Sequence, residues 1–147
     1  MSHELSITRH IAAPPEKVWI AMTDRMAEWW CPAPWRAEIV AQDRHPGGRS
    51  AMVMKGPDGE VSPQEGIFLA WDPGRRFAVT DAVTADLETA GPFMIGIWEI
   101  EAEGDGTRYT ARARHWSDEA RQQHADMGFE AGWAAAADQL AALCENP

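Results

Sequence analysis

The spacing of hydrophobic positions changes three times along the chain. From Leu5 to Ile11 (LSITRHI), Leu5, Ile7, Arg9 and Ile11 share one parity while Ser6, Thr8 and His10 share the other, which predicts a first strand. Ala12 to Pro15 stops it. Pro14 or Pro15 suits the first turn of a helix, where a missing N–H costs nothing. Val18, Trp19 and Met22 then follow at helical spacing. Thr23 or Asp24 caps a second short helix, Arg25 to Trp30, and Cys31-Pro32-Ala33-Pro34 ends it.

Beyond Trp35 the pattern is one of strands. They are predicted over Trp35 to Asp43, Arg49 to Lys55, Gly66 to Trp71 and Arg76 to Asp81. A final hairpin pairs Phe93 to Glu101 with Thr107 to Trp116. Turns fall at Pro46-Gly47-Gly48, Gly56-Pro57-Asp58-Gly59, Asp72-Pro73-Gly74 and Gly104-Asp105-Gly106. Val83 to Gly91 reads as a less ordered connection. In the last strand Tyr109, Ala111, Ala113 and His115 share one face, and Arg108, Thr110, Arg112 and Arg114 form a wet one. The period then returns to helical. Ser117 caps, Asp118 and Glu119 complement the helix dipole, and Phe129, Trp133, Ala136, Leu140 and Leu143 draw one apolar stripe. The expectation is one helix from Asp118 to Cys144.

Strands joined by tight turns make an antiparallel sheet, and a sheet must bury one face. The last helix is the large apolar object available to cover it. The predicted class is therefore α+β: a curved antiparallel sheet of about six to seven strands around a long C-terminal helix, with two short helices after the first strand. All 147 residues fit a single domain of this kind. A curved sheet around a helix leaves an internal space, which suits a ligand container.

Composition sharpens this picture in three ways. Eight Trp stand against four Phe and one Tyr, a load that suits a pocket as well as a core. The net charge of −10 disfavours nucleic acid and anionic membrane surfaces as partners. Cys31 and Cys144 form no CxxC pair, no long apolar run spans a membrane, and the opening residues show no signal peptide. A reducing cytoplasm is the expected location.

Candidate chemistry is sparse. Met52, Met54, Met94 and Met127 suit either an adaptable pocket or a plain core. Trp29, Trp30 and Trp35 flank the CPAP segment, where they either plug the end of the sheet or cover a cavity mouth. His115 lies on the inward face of the last strand, either satisfied by backbone or aimed at a ligand. His124 lies seven residues into the last helix. Cys31, His115 and His124 match no familiar zinc spacing. Gly128 and Gly132 either let helix approach strand or make room for a ligand. Arg108, Arg112 and Arg114 form a solvated stripe or a docking surface. No GxSxG, HExxH, P-loop or dinucleotide fingerprint is present.

The chain resembles the AHSA-type family (activator of heat-shock-protein ATPase homologues) of the START-like, or SRPBCC, helix-grip superfamily. The resemblance is carried by Ala13-Pro14-Pro15-Glu16-Lys17-Val18-Trp19, Trp29-Trp30-Cys31-Pro32-Ala33-Pro34-Trp35 and Arg44-His45-Pro46-Gly47-Gly48-Arg49. It continues through Met54 to Gly59 and Glu65 to Leu69, and is most specific over His124 to Trp133 (HADMGFEAGW). It implies a helix-grip fold with a cavity between sheet and C-terminal helix. Superfamily relatives carry lipids, hormones and aromatic molecules, some are cyclases, and the family name comes from co-chaperones.

The leading expectation is binding of a small hydrophobic or aromatic molecule by Trp30, Trp35, Met52, Met54, Phe68, Trp98, His115 and Met127. No catalytic residue, metal or cofactor is expected, and the state is monomer or homodimer. Two alternatives stand beside it. One is a cyclase or hydrolase using the same cavity through His115 with Glu65 or Tyr109. The other is a chaperone-associated interaction module.

Overall fold

The computed structural model describes residues 3–90 and 93–145. Seven strands form one antiparallel sheet: β1 (His3–Ile11), β2 (Arg36–Gln42), β3 (Arg49–Lys55), β4 (Val61–Asp72), β5 (Arg76–Thr80), β6 (Ile95–Glu103) and β7 (Gly106–His115). Their order is β1-β7-β6-β5-β4-β3-β2, so five of the six pairings join neighbours in sequence and only β1 crosses over, to β7. Helix α1 (Pro15–Asp24) and a 3₁₀ turn (Met26–Glu28) follow β1, while α2 (Asp118–Asp126) and α3 (Phe129–Glu145) close the chain.

Strands with one wet face bury the side chains of the other parity. Tyr109, Ala111, Ala113 and His115 are buried, and Leu5 stands opposite Ala113 and Ile7 opposite Ala111 across the β1–β7 pair. The outer arginines of β7 are ion-paired across the sheet rather than free. Arg108 meets Glu101 and Glu103, Arg112 meets Glu4 and Glu99, and Arg114 meets Glu4.

The expected long helix is two helices. Gly128 has φ +95, a left-handed backbone that ends α2 just beyond its C-cap residue Met127. The apolar stripe therefore belongs to α3 alone, and α2 carries its own buried residue, His124. Strand β4 is longer than expected and runs through Pro63, which stands opposite Val53. β5 pairs with β4 only from Ile67 onward, so Pro63 sits where the other edge is open and proline is tolerated. β6 starts at Ile95, not Phe93. The connection after Val83 is more ordered than expected: Val83 bridges Thr89, and Leu87 adopts φ 65. Gly91, its predicted end, lies outside the described residues.

Helix α3 packs mainly on β1 and α1. Leu140, Ala137 and Ala141 are fully buried in the core with Val18, Met22 and Ile11. A core set to one side of a curved sheet leaves β3 to β5 to be covered by something else. Large aromatic side chains from the sheet, from the loop before β2 and from α3 do so.

Candidate functional site

A cavity of about 360 Å³ lies between the sheet and the helices. Its sheet wall includes Met52 and Met54 of β3, Val79 of β5, Trp98 of β6 and Tyr109 of β7. The helix wall is His124 of α2 with Gly132, Trp133 and Ala136 of α3. The loop before β2 closes one end with Trp29, Trp30, Cys31, Pro32 and Trp35. Gln64, Glu65, Asp81, Phe93 and Met94 border it at the start of β4 and between β5 and β6. Gln64 and Glu65 are exposed, which places the mouth there.

The tryptophan surplus has a geometric use. Trp71 stands beside Phe77 across β4 and β5, and Phe77 stands opposite Trp98 across β5 and β6. Their rings stack in a near-parallel column: Trp71–Phe77 at 5.4 Å, Phe77–Trp98 at 5.3 Å, then Trp98–Trp133 at 5.5 Å and 14°. The column thus runs across the inner face of the sheet and ends on α3 at the cavity. Trp30 packs on Trp98 at 4.6 Å. Gly96 makes room for this arrangement, because a Cβ there would run into the Trp98 indole.

A histidine pair forms one polar corner, with His124 at the cavity and His115 behind it. His115 is 6% exposed and His124 is 7% exposed. His115 Nδ1 lies 3.0 Å from the carbonyl of His3, its cross-strand neighbour, and His115 Nε2 lies 2.8 Å from His124 Nδ1. The same end is pinned by His3 Nδ1 on Asp118 at 2.7 Å and by the Ser117 hydroxyl, which accepts from the Ala120 N–H at 3.1 Å. Phe93, Phe129 and Trp133 surround the His124 ring at 4.6, 5.1 and 5.9 Å. This burial, and secondarily the neighbouring His115, push the His124 pKa down to about 4, so the ring is neutral at physiological pH.

Tyr109 is a further polar group at the wall. It is buried, its ring meets Trp29 edge-on, and burial raises its pKa, so the phenol keeps its proton. No described residue takes its hydroxyl hydrogen. Burial also raises the Cys31 thiol, which is correspondingly unreactive.

Of the residues expected from sequence, Trp30, Trp35, Met52, Met54 and Trp98 line the cavity together. Three do not. Met127 is corrected: it is 67% exposed at the end of α2, because Gly128 breaks the helix there and turns it outward. Phe68 is buried in the core against Trp71 and Phe77, off the cavity. His115 points inward but stands one layer behind His124, which takes the cavity face. The polar pairs suggested for catalysis do not form, since His115 is engaged by His124 and Glu65 by Arg49 at 2.9 and 3.0 Å. His124, Trp133 and Tyr109 were not singled out as ligand contacts. Glycine at position 128 is the signal that separates α2 and lets His124 face inward on its own helix. Among the described residues no group of three or more His, Cys, Asp or Glu is placed to hold a metal, and no helix is long and apolar enough to cross a membrane.

The family model described as Activator of Hsp90 ATPase homolog 1-like protein matches residues 12–145. A structural-genomics crystal structure from Nitrosomonas europaea is 32% identical, with a TM-score of 0.86, covering 97% of this chain and 94% of that one. A Mycobacterium smegmatis crystal structure is 31% identical, with a TM-score of 0.79 over 95% and 89%. A Silicibacter pomeroyi protein titled AHSA1 is 20% identical, with a TM-score of 0.73 over 95% of each chain, and shares the fold. No curated protein matches the chain significantly.

Proposed function

The chain belongs to the Activator of Hsp90 ATPase homolog 1-like family, and from that premise we propose that it binds one small, largely apolar molecule in the cavity between sheet and helices. The observation that carries this reading is the cavity itself: about 360 Å³, with five tryptophans and three methionines in its wall and a surface more apolar than polar. An apolar cavity of about 150 Å³ takes benzene. The volume here therefore suits a molecule of two or three rings. Met52 and Met54 adapt to shape, while Trp30 and Trp133 add flat apolar rings and Trp98, stacked between Phe77 and Trp133, presents its edge.

Gly132 supports the same reading. Glycine inside a helix costs about 1 kcal/mol relative to alanine. At Gly132 a Cβ would meet nothing closer than Pro32 Cγ at 4.0 Å. Packing therefore does not demand glycine there, and what its absence of side chain provides is volume in the cavity.

Native mass spectrometry of freshly purified protein, followed by organic extraction, tests the proposal. A small-molecule adduct that is absent from the Gly132→Leu variant is the expected result. No adduct, together with no rise in Tm on adding naphthalene, would sink it.

A further inference from the structure

We infer that the His115–His124 pair makes the cavity select a neutral aromatic ligand carrying a hydroxyl, which donates its hydrogen to His124 Nε2. The inference rests on the cavity-binding reading above and adds the chemistry of the ligand.

The His3 carbonyl only accepts, so His115 Nδ1, 3.0 Å away, carries the proton. A neutral imidazole has one such proton, so His115 Nε2 presents a lone pair. His124 Nδ1 lies 2.8 Å from that lone pair and must donate to it. His124 Nε2 is then left as an acceptor. His124 lines the cavity with Nδ1 turned away to His115, so Nε2 is its polar atom on the cavity side. No described residue donates to it. Among the described residues no buried side-chain nitrogen or oxygen lacks a partner, so Nε2 is open to the cavity, where a ligand hydroxyl can take the place of water on its lone pair.

The rest of the wall narrows the class. No Lys or Arg lines the cavity. The carboxylate of Asp81 accepts the Phe93 and Met94 backbone N–H groups at 2.8 and 3.4 Å, and that of Glu65 is held by Arg49. An anionic ligand would thus meet no cation and would face the Nε2 lone pair. Tyr109 offers a hydroxyl free to donate to a second ligand oxygen. His115 does not touch the ligand and is a positioning residue: without it, His124 is free to place its proton on Nε2 and lose the acceptor.

Calorimetric titration with naphthalene, 1-naphthol and 1-naphthoate tests this, alongside nitrogen-15 NMR of the histidine rings. The expected result is 1-naphthol binding about tenfold tighter than naphthalene, a factor of one net hydrogen bond, with 1-naphthoate weakest. The NMR spectrum should show His124 protonated on Nδ1. In His115→Phe the naphthalene affinity should persist while the preference for 1-naphthol shrinks toward unity. Naphthalene binding without preference for 1-naphthol would overturn the inference and leave the cavity reading standing. Binding of neither probe by folded protein would overturn both. A His124 proton on Nε2, or an undiminished preference in His115→Phe, would overturn the relay directly.

Discussion

Mild acid acts on this fold through His124, and the size of the effect follows from its surroundings. The ring is enclosed by Phe93, Phe129 and Trp133 and backed by His115, and its pKa falls from 6.5 to about 4 on folding. Because the folded pKa is the lower one, the unfolded chain binds the proton first. Stability is full above pH 6.5, falls as pH drops through the window down to about 4, and levels off below it. One pKa unit corresponds to about 1.4 kcal/mol, so His124 alone should remove about 2 kcal/mol between pH 8 and pH 5. Other groups titrate too. The hydrogen bond from His3 holds the Asp118 carboxyl below its ordinary range, and those from His10 and Arg108 do the same for Glu103. These are common to wild type and to His124→Phe, which keeps the aromatic packing and removes the titration. Urea unfolding of both proteins at pH 8, 6.5 and 5 isolates the contribution. Wild type should lose about 2 kcal/mol more than the variant over that range. Parallel pH profiles, agreeing within about 0.5 kcal/mol, would refute the assignment of a buried neutral His124.

Two further outcomes follow from single backbone positions. Gly96→Ala places a methyl group against the Trp98 indole. It should cost roughly 1–3 kcal/mol in urea unfolding and perturb near-ultraviolet circular dichroism by displacing the ring. Leu87 holds φ 65 while 84% exposed, so Leu87→Gly relieves a left-handed backbone without losing packing and should raise stability by up to about 1 kcal/mol, seen as a higher Tm.

The strands were legible in the sequence where one face is wet. β1 and β7 alternate polar and apolar residues, and each reads correctly to within two residues. β4 was less so, because Pro63 and the polar Ser62, Gln64 and Glu65 carry no apolar period. What makes them a strand is pairing with β3, a tertiary fact. The helix break was written in Gly128 but masked by the apolar residues on either side of it, which made one long stripe the simpler reading. That error moved Met127 into the pocket and hid His124 from it. The methionines of β3 and the tryptophans around CPAP were readable because strand parity and a chain reversal fix which way they face. The column from Trp71 to Trp133 was not, since it depends on the registers of β4, β5 and β6. Nor was the histidine pair, which joins β7 to α2 across a turn whose geometry no periodicity reports.

Occupancy of the aromatic cavity by a ligand can be read from an NMR titration with naphthalene that follows the tryptophan indole N–H signals in wild type and in Gly132→Leu. Saturable shifts of the Trp30, Trp98 and Trp133 signals, with the exposed Trp116, which does not line the cavity, unmoved and all shifts lost in the variant, are the predicted result. Absence of saturable shifts in well-folded wild type, or equal shifts in the blocked variant, would contradict it.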